Sequence, residues 1–226
     1  MKHFALILTL LLLGSCSAKM TWTVPARLDT ADAVALVNEA AAANALPRLL
    51  EIAEETVFNT DEERMAEILR AALATGKLSE SQTATAEWML HDVCERNAPG
   101  TPAADFRFAT PEISENTLYT YLPGKPLTVI FYDPDCDHCR ETIAALGELG
   151  EKTDVLAVCI TGDERRWRST LSQLPTDWTP AFDRSDIMAN DTYVIRSMPS
   201  VYLLDPERRV VLKNPTVDKL LNALNK

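Results

Sequence analysis

The stretch Leu127-Thr128-Val129-Ile130-Phe131-Tyr132-Asp133-Pro134-Asp135-Cys136-Asp137-His138-Cys139-Arg140 decides how the chain is read. Six residues of continuous apolar and β-branched character predict a strand buried on both faces. Asp133-Pro134 stops it, and Asp137 to Gly150 carries a helical pattern. The junction places two cysteines, two residues apart, at the start of a helix. There the backbone N–H groups favour a thiolate, and two cysteines at this spacing can close a small disulfide ring. The same spacing also serves structural zinc sites, so the motif needs its surroundings.

Working forward, Val155 to Ile160 repeats the apolar strand pattern, and with the intervening helix it predicts a βαβ unit with a parallel pair. A helix is expected from Glu164, with Trp167, Thr170, Leu171 and Leu174 along one stripe. Val201 to Leu204 and Val210 to Lys213, separated by Asp205-Pro206-Glu207, predict an antiparallel hairpin, and Val217 to Leu224 a last helix. Before the junction, Phe106 to Ala109 and Thr117 to Tyr121 suggest short edge strands, with a turn at Pro123-Gly124. Parallel and antiparallel parts together predict an α/β fold, a three-layer α/β/α sandwich with a mixed sheet.

The residues before this half are different in kind. From Thr30 to Asn97 the chain is rich in Ala, Glu and Leu, with Gly76 and Pro47 its single glycine and proline. Thr60 with Glu63 and Ser79 with Gln82 fit capping boxes, and Met65, Ile68, Leu69, Ala72 and Leu73 share a helical face. About four helices are expected, in a small all-α domain spanning 30–98. Trp88 and Cys94 read as core positions, and His91 with Cys94 has no second ligand pair to make a metal site. Two prolines and a glycine in Asn97-Ala98-Pro99-Gly100-Thr101-Pro102 mark a linker at 99–104, ahead of a second domain at 105–226.

At the N-terminus, Lys2 precedes an apolar run from Phe4 to Leu13 that is too short to span a bilayer and ends in Gly14-Ser15-Cys16. Residues 1–15 read as a secretory signal. Leu13-Gly14-Ser15-Cys16 resembles a bacterial lipobox, with Cys16 as the lipidated residue and 16–29 as a tether; the plainer alternative is an ordinary cleaved signal. The expected setting is the cell envelope, facing the periplasm, where disulfides persist. The formal charge is −11, from 22 Lys and Arg against 33 Asp and Glu. Loss of Lys2 leaves 21 against 33, or −12. That charge opposes nucleic acid and anionic lipid, so membrane attachment falls to the lipid at Cys16.

On the residues from Gly100 to Phe106, the C-x-x-C and Ser197-Met198-Pro199-Ser200-Val201-Tyr202-Leu203-Leu204-Asp205, the C-terminal half resembles a thioredoxin fold, in the style of the membrane-tethered TlpA/ResA-like thiol-disulfide oxidoreductases. The helical region before it resembles the N-terminal part of lipoproteins of this superfamily whose function is poorly defined. The resemblance implies a redox-active Cys136–Cys139 disulfide with no other cofactor. Cys136 would be the nucleophile and Cys139 the resolving thiol. Pro199 would follow a cis bond, with Met198 pairing with the substrate chain; read from the residues themselves, Asp135 is a candidate for the substrate face and His138, inside the ring, a candidate catalytic proton acceptor. Cysteine-containing envelope proteins and an upstream thiol donor would be the partners. Reduction is the expected direction on charge grounds, since the helix N-terminus and a protonated His138 favour a Cys136 thiolate while Asp135 and Asp137 oppose it. Two positions depart from the family pattern: Asp135 replaces the usual Trp, and Ile130 stands where many thioredoxins bury an acid. The competing readings are a non-catalytic interaction or assembly lipoprotein and, third, a metal module using Cys136, His138 and Cys139.

Overall fold

The structure, a computed structural model, describes residue 28 and residues 32–58, 61–121 and 126–225. The signal and lipobox with Cys16, the Thr60 half of one capping box and the Pro123-Gly124 turn lie outside the described residues. The chain forms two compact units that divide between Ala84 and Thr85.

The first unit is helical: α1 (Ala33–Ala42), α2 (Leu46–Thr56), α3 (Glu62–Ala74) and the start of α4 (Glu80–Trp88). Local chemistry fixes the helix ends. Asp32 accepts the Ala35 N–H at 2.8 Å, Asp61 accepts that of Arg64 at 3.0 Å, and Pro47 sits in the first turn of α2. Ser79 and Gln82 exchange both bonds of the expected capping box. Gly76, at φ +63°, follows α3 in the left-handed conformation that a glycine stop adopts without a Cβ penalty. Met65, Ile68, Leu69 and Ala72 are buried, as are Leu36, Val37 and Ala40 of α1, which packs on α3. Arg64 is buried with them and donates to the Leu28 carbonyl at 2.9 Å.

The second unit holds a seven-stranded mixed sheet of β1 (Arg107–Ala109), β2 (Asn116–Thr117), β3 (Leu127–Tyr132), β4 (Asp154–Cys159), β5 (Thr179–Asp183), β6 (Ser200–Leu204) and β7 (Val210–Lys213), in the order β2-β1-β5-β4-β3-β6-β7. β3 runs parallel to β4 and antiparallel to β6. Every residue of β3 is buried because its pleat feeds two cores. Leu127, Val129 and Phe131 join Phe106, Tyr193 and Tyr202 on one face. Ile130 and Tyr132 join the helical side of the sheet. There lie α5 (Asp137–Ala145), α6 (Glu164–Ser169) and α7 (Val217–Leu224), which contribute Cys139, Ile143, Trp167 and Leu220 to the second core.

Two sequence readings differ here. The expected linker at 99–104 is built into the sheet unit: Gly100 and Ala103 N–H groups donate to Val210 and Arg208 carbonyls at 2.7 and 2.8 Å, and Val210 N–H returns to Thr101 at 2.9 Å. These bonds line the outer edge of β7, which would otherwise present unpaired backbone groups. The helix before it continues from α4 as a π-helical turn, Met89–Cys94, with Leu90, Val93 and Cys94 buried. Lys213 of β7 donates to the Val93 and Arg96 carbonyls at 2.5 and 2.9 Å, closing the end of that helix. Asn97 bridges outward, to the Thr192 carbonyl at 2.8 Å and from the Ala104 N–H at 2.7 Å. Trp88, expected in the core, is 57% exposed on the turn before the π-helix. Residues 85–98 thus pack with the sheet unit.

Candidate functional site

The chain leaves β3 at Asp133-Pro134 and re-enters regular structure at α5. Asp133 organises the gap: its side chain accepts the Asp135 N–H at 2.8 Å, and its carbonyl the Cys136 N–H at 3.2 Å. Cys136 is the N-cap of α5, in extended conformation, and its sulfur accepts the backbone N–H of Cys139 at 3.3 Å. A thiol here occupies the place of the usual Ser or Asp cap oxygen. The same N–H and the helix dipole stabilise negative charge on that sulfur.

The two cysteines are set apart by burial. Cys136 is partly exposed, whereas Cys139 has no accessible surface. Burial pushes the Cys139 thiol up to about 12, against a hydrogen bond with the Asp133 backbone that works the other way. Cys139 also lines a cleft of about 340 Å³ together with Arg140, Ile143, Thr170 and Leu174. Cys159, at the end of β4 beside Tyr132, is buried as well and is pushed up to about 11. All four described cysteines are thiols in this structure.

On the other side of Cys136 lies the segment that enters β6. The Met198–Pro199 peptide bond is cis, and the Met198 carbonyl is 3.9 Å from the Cys136 sulfur, which donates to it. Antiparallel pairing of Phe131 with Ser200 brings this segment to the site, because it sets the start of β6 against the end of β3. His138, between the cysteines, has a side chain 70% exposed and lies 3.9 Å from Glu141. With Pro199, Thr142, Val201, Pro215 and Leu220 it lines a second hollow, of about 220 Å³.

Both aspartates next to Cys136 are ion-paired. Asp137 is held by Arg140, and Asp135 by Arg166 of α6. The guanidinium holds the Asp135 carboxyl below the usual carboxylate range. Arg166 is an exposed residue, and its place beside Trp167, whose burial orients α6, brings it to Asp135. Ile130, at the position where the family often buries an acid, is fully buried in the core. The carboxylate that acts on both buried thiols is that of Asp133, which raises Cys139 and Cys159 alike. Among the described residues no group of three or more His, Cys, Asp or Glu is arranged to hold a metal ion, and no helix is long and apolar enough to cross a membrane.

No family model matches the sequence, and no curated protein matches it. Solved structures do. A thioredoxin-like protein from Bacteroides caccae aligns over 88% of this chain and 77% of its own, at 22% identity and a TM-score of 0.74. The C-terminal domain of an uncharacterized protein from Bacteroides fragilis covers 58% of this chain and 99% of its own, at 26% identity and a TM-score of 0.53. The thioredoxin domain of a thiol-disulfide oxidoreductase from Bacteroides vulgatus covers 57% and 96%, at 22% identity and a TM-score of 0.50. The chain has a thioredoxin-like fold, with helices preceding a mixed sheet.

Proposed function

We propose that this thioredoxin-like chain is a thiol-disulfide oxidoreductase that exchanges disulfides with cell-envelope proteins through Cys136 and Cys139. One observation carries the reading: a partly exposed sulfur capping α5, bonded to the N–H of a fully buried second cysteine and 3.9 Å from the Met198 carbonyl. The Bacteroides vulgatus protein, named for this activity, supports the same direction.

The chemistry follows from the two burials. The Cys136 thiolate attacks one sulfur of a substrate disulfide; the new bond joins Cys136 to that sulfur, and the other sulfur leaves with the electron pair and takes a proton. Cys139 then gives up its proton and attacks the Cys136 sulfur. That step closes the Cys136–Cys139 disulfide and releases the second substrate thiol, so two electrons pass from the pair to the substrate. An upstream thiol donor restores the dithiol, and no other cofactor enters. Met198 and Pro199 would line the substrate chain, with His138 and Asp135 on either side of Cys136. Reduction is the favoured direction, because the carboxylates and guanidiniums around Cys136 are paired and exposed, which leaves the Cys139 N–H and the start of α5 as its support, short of the strongly stabilised thiolate that makes an oxidant. The Phe4 to Leu13 segment and the lipobox-like Leu13-Gly14-Ser15-Cys16 support export and anchoring through lipid at Cys16, facing the periplasm.

Expression of Cys139→Ser in a bacterial envelope tests this. The variant is expected to accumulate mixed disulfides through Cys136, Cys136→Ser to accumulate none, and the reduced wild type to reduce insulin. If no partner is trapped and insulin remains oxidised, the enzymatic reading fails. Equilibration with glutathione tests direction, with a potential more negative than about −180 mV expected for a reductant.

A further inference from the structure

Cys136 stands between two carboxylates, and the two arginines that hold them differ in origin. Arg140 lies on the same helix as its partner Asp137, and its other amino group reaches the Pro134 carbonyl at 3.4 Å. Arg166 comes from α6 and holds Asp135 with two nitrogens, Nη2 on one oxygen and Nε at 3.4 Å from the other. This fork-on-carboxylate contact is more directional than a point-charge pair. Two neighbours place Arg166. Its own N–H donates to the N-cap Asp163 at 2.8 Å, and Trp167 beside it is fully buried, its ring 5.6 Å from that of Phe182.

A bare carboxylate one residue from a sulfur opposes the thiolate, whereas a carboxylate bonded to a guanidinium presents nearly no net charge at that distance. The surrounding elements also carry Asp133 in the loop, Asp137, His138, Arg140 and Glu141 on α5, Asp163, Glu164, Arg165 and Arg168 at and along α6, and Arg196 on the segment that runs to Pro199. Arg140 performs for Asp137 the cancellation that Arg166 performs for Asp135. The difference is that Arg166 also ties the loop carrying Cys136 to a separate helix.

We infer that Arg166 is a positioning residue for the thiol chemistry: by pairing with Asp135 it cancels the carboxylate on the loop side of Cys136 and fixes that loop to α6. The inference rests on the reading of Cys136 as the nucleophile. Both side chains are more than half exposed, so solvent and salt screen the effect, which is correspondingly modest.

The test is alkylation of the reduced full chain by iodoacetamide, in which the Cys136 sulfur bonds to carbon as the carbon–iodine bond breaks and iodide leaves. Labelling is followed at Cys136 by mass spectrometry against pH, for wild type, Arg166→Gln, Asp135→Asn and the double variant. Arg166→Gln is expected to move the profile to higher pH and to slow labelling at neutral pH about two- to threefold. The double variant is expected to return to the wild-type profile or beyond it, and high salt to shrink the difference. A profile of Arg166→Gln that coincides with wild type overturns the inference. So does a double variant as displaced as the single one, since a purely structural role is not rescued by removing the carboxylate. Alkylation needs no disulfide partner, so failed trapping and a negative insulin assay beside a positive rescue would refute the enzymatic reading and leave the effect of Arg166 on Cys136 standing.

Discussion

The backbone N–H of Cys139 is 3.3 Å from the sulfur of Cys136, while the thiol of Cys139 itself is closed off from solvent. One residue thus supports its partner's negative charge through its backbone and withholds its own sulfur. With burial pushing Cys139 to about 12, its thiolate is scarce at neutral pH. Iodoacetamide at pH 8 is expected to label Cys136 at least about a hundredfold faster than Cys139 in the reduced, folded protein. In denaturant the two should react alike. Comparable rates without denaturant, read by peptide mass spectrometry, would contradict the assignment of roles.

The buried thiols also set an alkaline limit on stability. Cys139 and Cys159 are raised by burial to about 12 and about 11, against about 8.5 for an exposed cysteine. Between the exposed value and those folded values the native chain keeps protons that the unfolded chain has released, so unfolding free energy falls as pH rises. The contribution is full below about pH 8.5 and is lost on passing through the folded values. Urea midpoints measured with a reductant present are expected to fall between pH 8 and pH 11. The fall should be smaller in Cys159→Val, which keeps an apolar group of similar size. Equal falls in the two proteins would remove Cys159 from the account.

Trp167 anchors α6 against the face of the sheet that also carries Cys139. Its side chain is fully buried, with Phe182 against its ring and Arg168 stacked at 5.3 Å. Trp167→Ala is expected to cost about 3–5 kcal/mol, the range for deleting a large buried aromatic. Urea unfolding followed by circular dichroism measures it, and a loss below about 1 kcal/mol would mean that the core collapses around the gap.

His138 offers the opposite test, because it is exposed and contributes little packing. His138→Ala is expected to leave stability within about 0.5 kcal/mol of wild type while slowing insulin reduction several-fold. An unchanged rate would reduce His138 to a bystander in the ring.

What the sequence made legible follows from contact range. β3, α5 and β4 form one local unit, and the apolar runs and helix start place it: β3 is Leu127–Tyr132 as expected, β4 lies one residue earlier at Asp154–Cys159, α5 starts at Asp137 but ends at Ala145 rather than Gly150, and α7 is Val217–Leu224. β5 was not legible because Pro180 argues against a central strand. It is accommodated because β1 pairs only with Phe182 and Asp183, leaving the stretch around Pro180 an edge on that side. Two arginine contacts were not legible for a common reason. Arg166, on the surface, reaches Asp135, and Arg208, 2% exposed, donates to the Leu118 and Tyr121 carbonyls. Those partners lie 31, 90 and 87 residues away, beyond any local pattern. The Pro- and Gly-rich segment misled, since the punctuation of a linker also suits a strand-edge cover that pairs through its backbone.

The bonds of Lys213 and Asn97 bear on where the sheet unit can be excised. A fragment begun at the visible punctuation, near Pro99, would discard the carbonyls of Val93 and Arg96 and the side chain of Asn97. The ammonium on β7 would lose these two carbonyls and the Ala104 N–H its bond to Asn97, and the buried side chains of Leu90, Val93 and Cys94 would go with them. A gene trimmed instead at Thr85 keeps that buttress whole, and it is the cut a crystallographer or a recombining genome would have to find to carry the cysteine pair away intact.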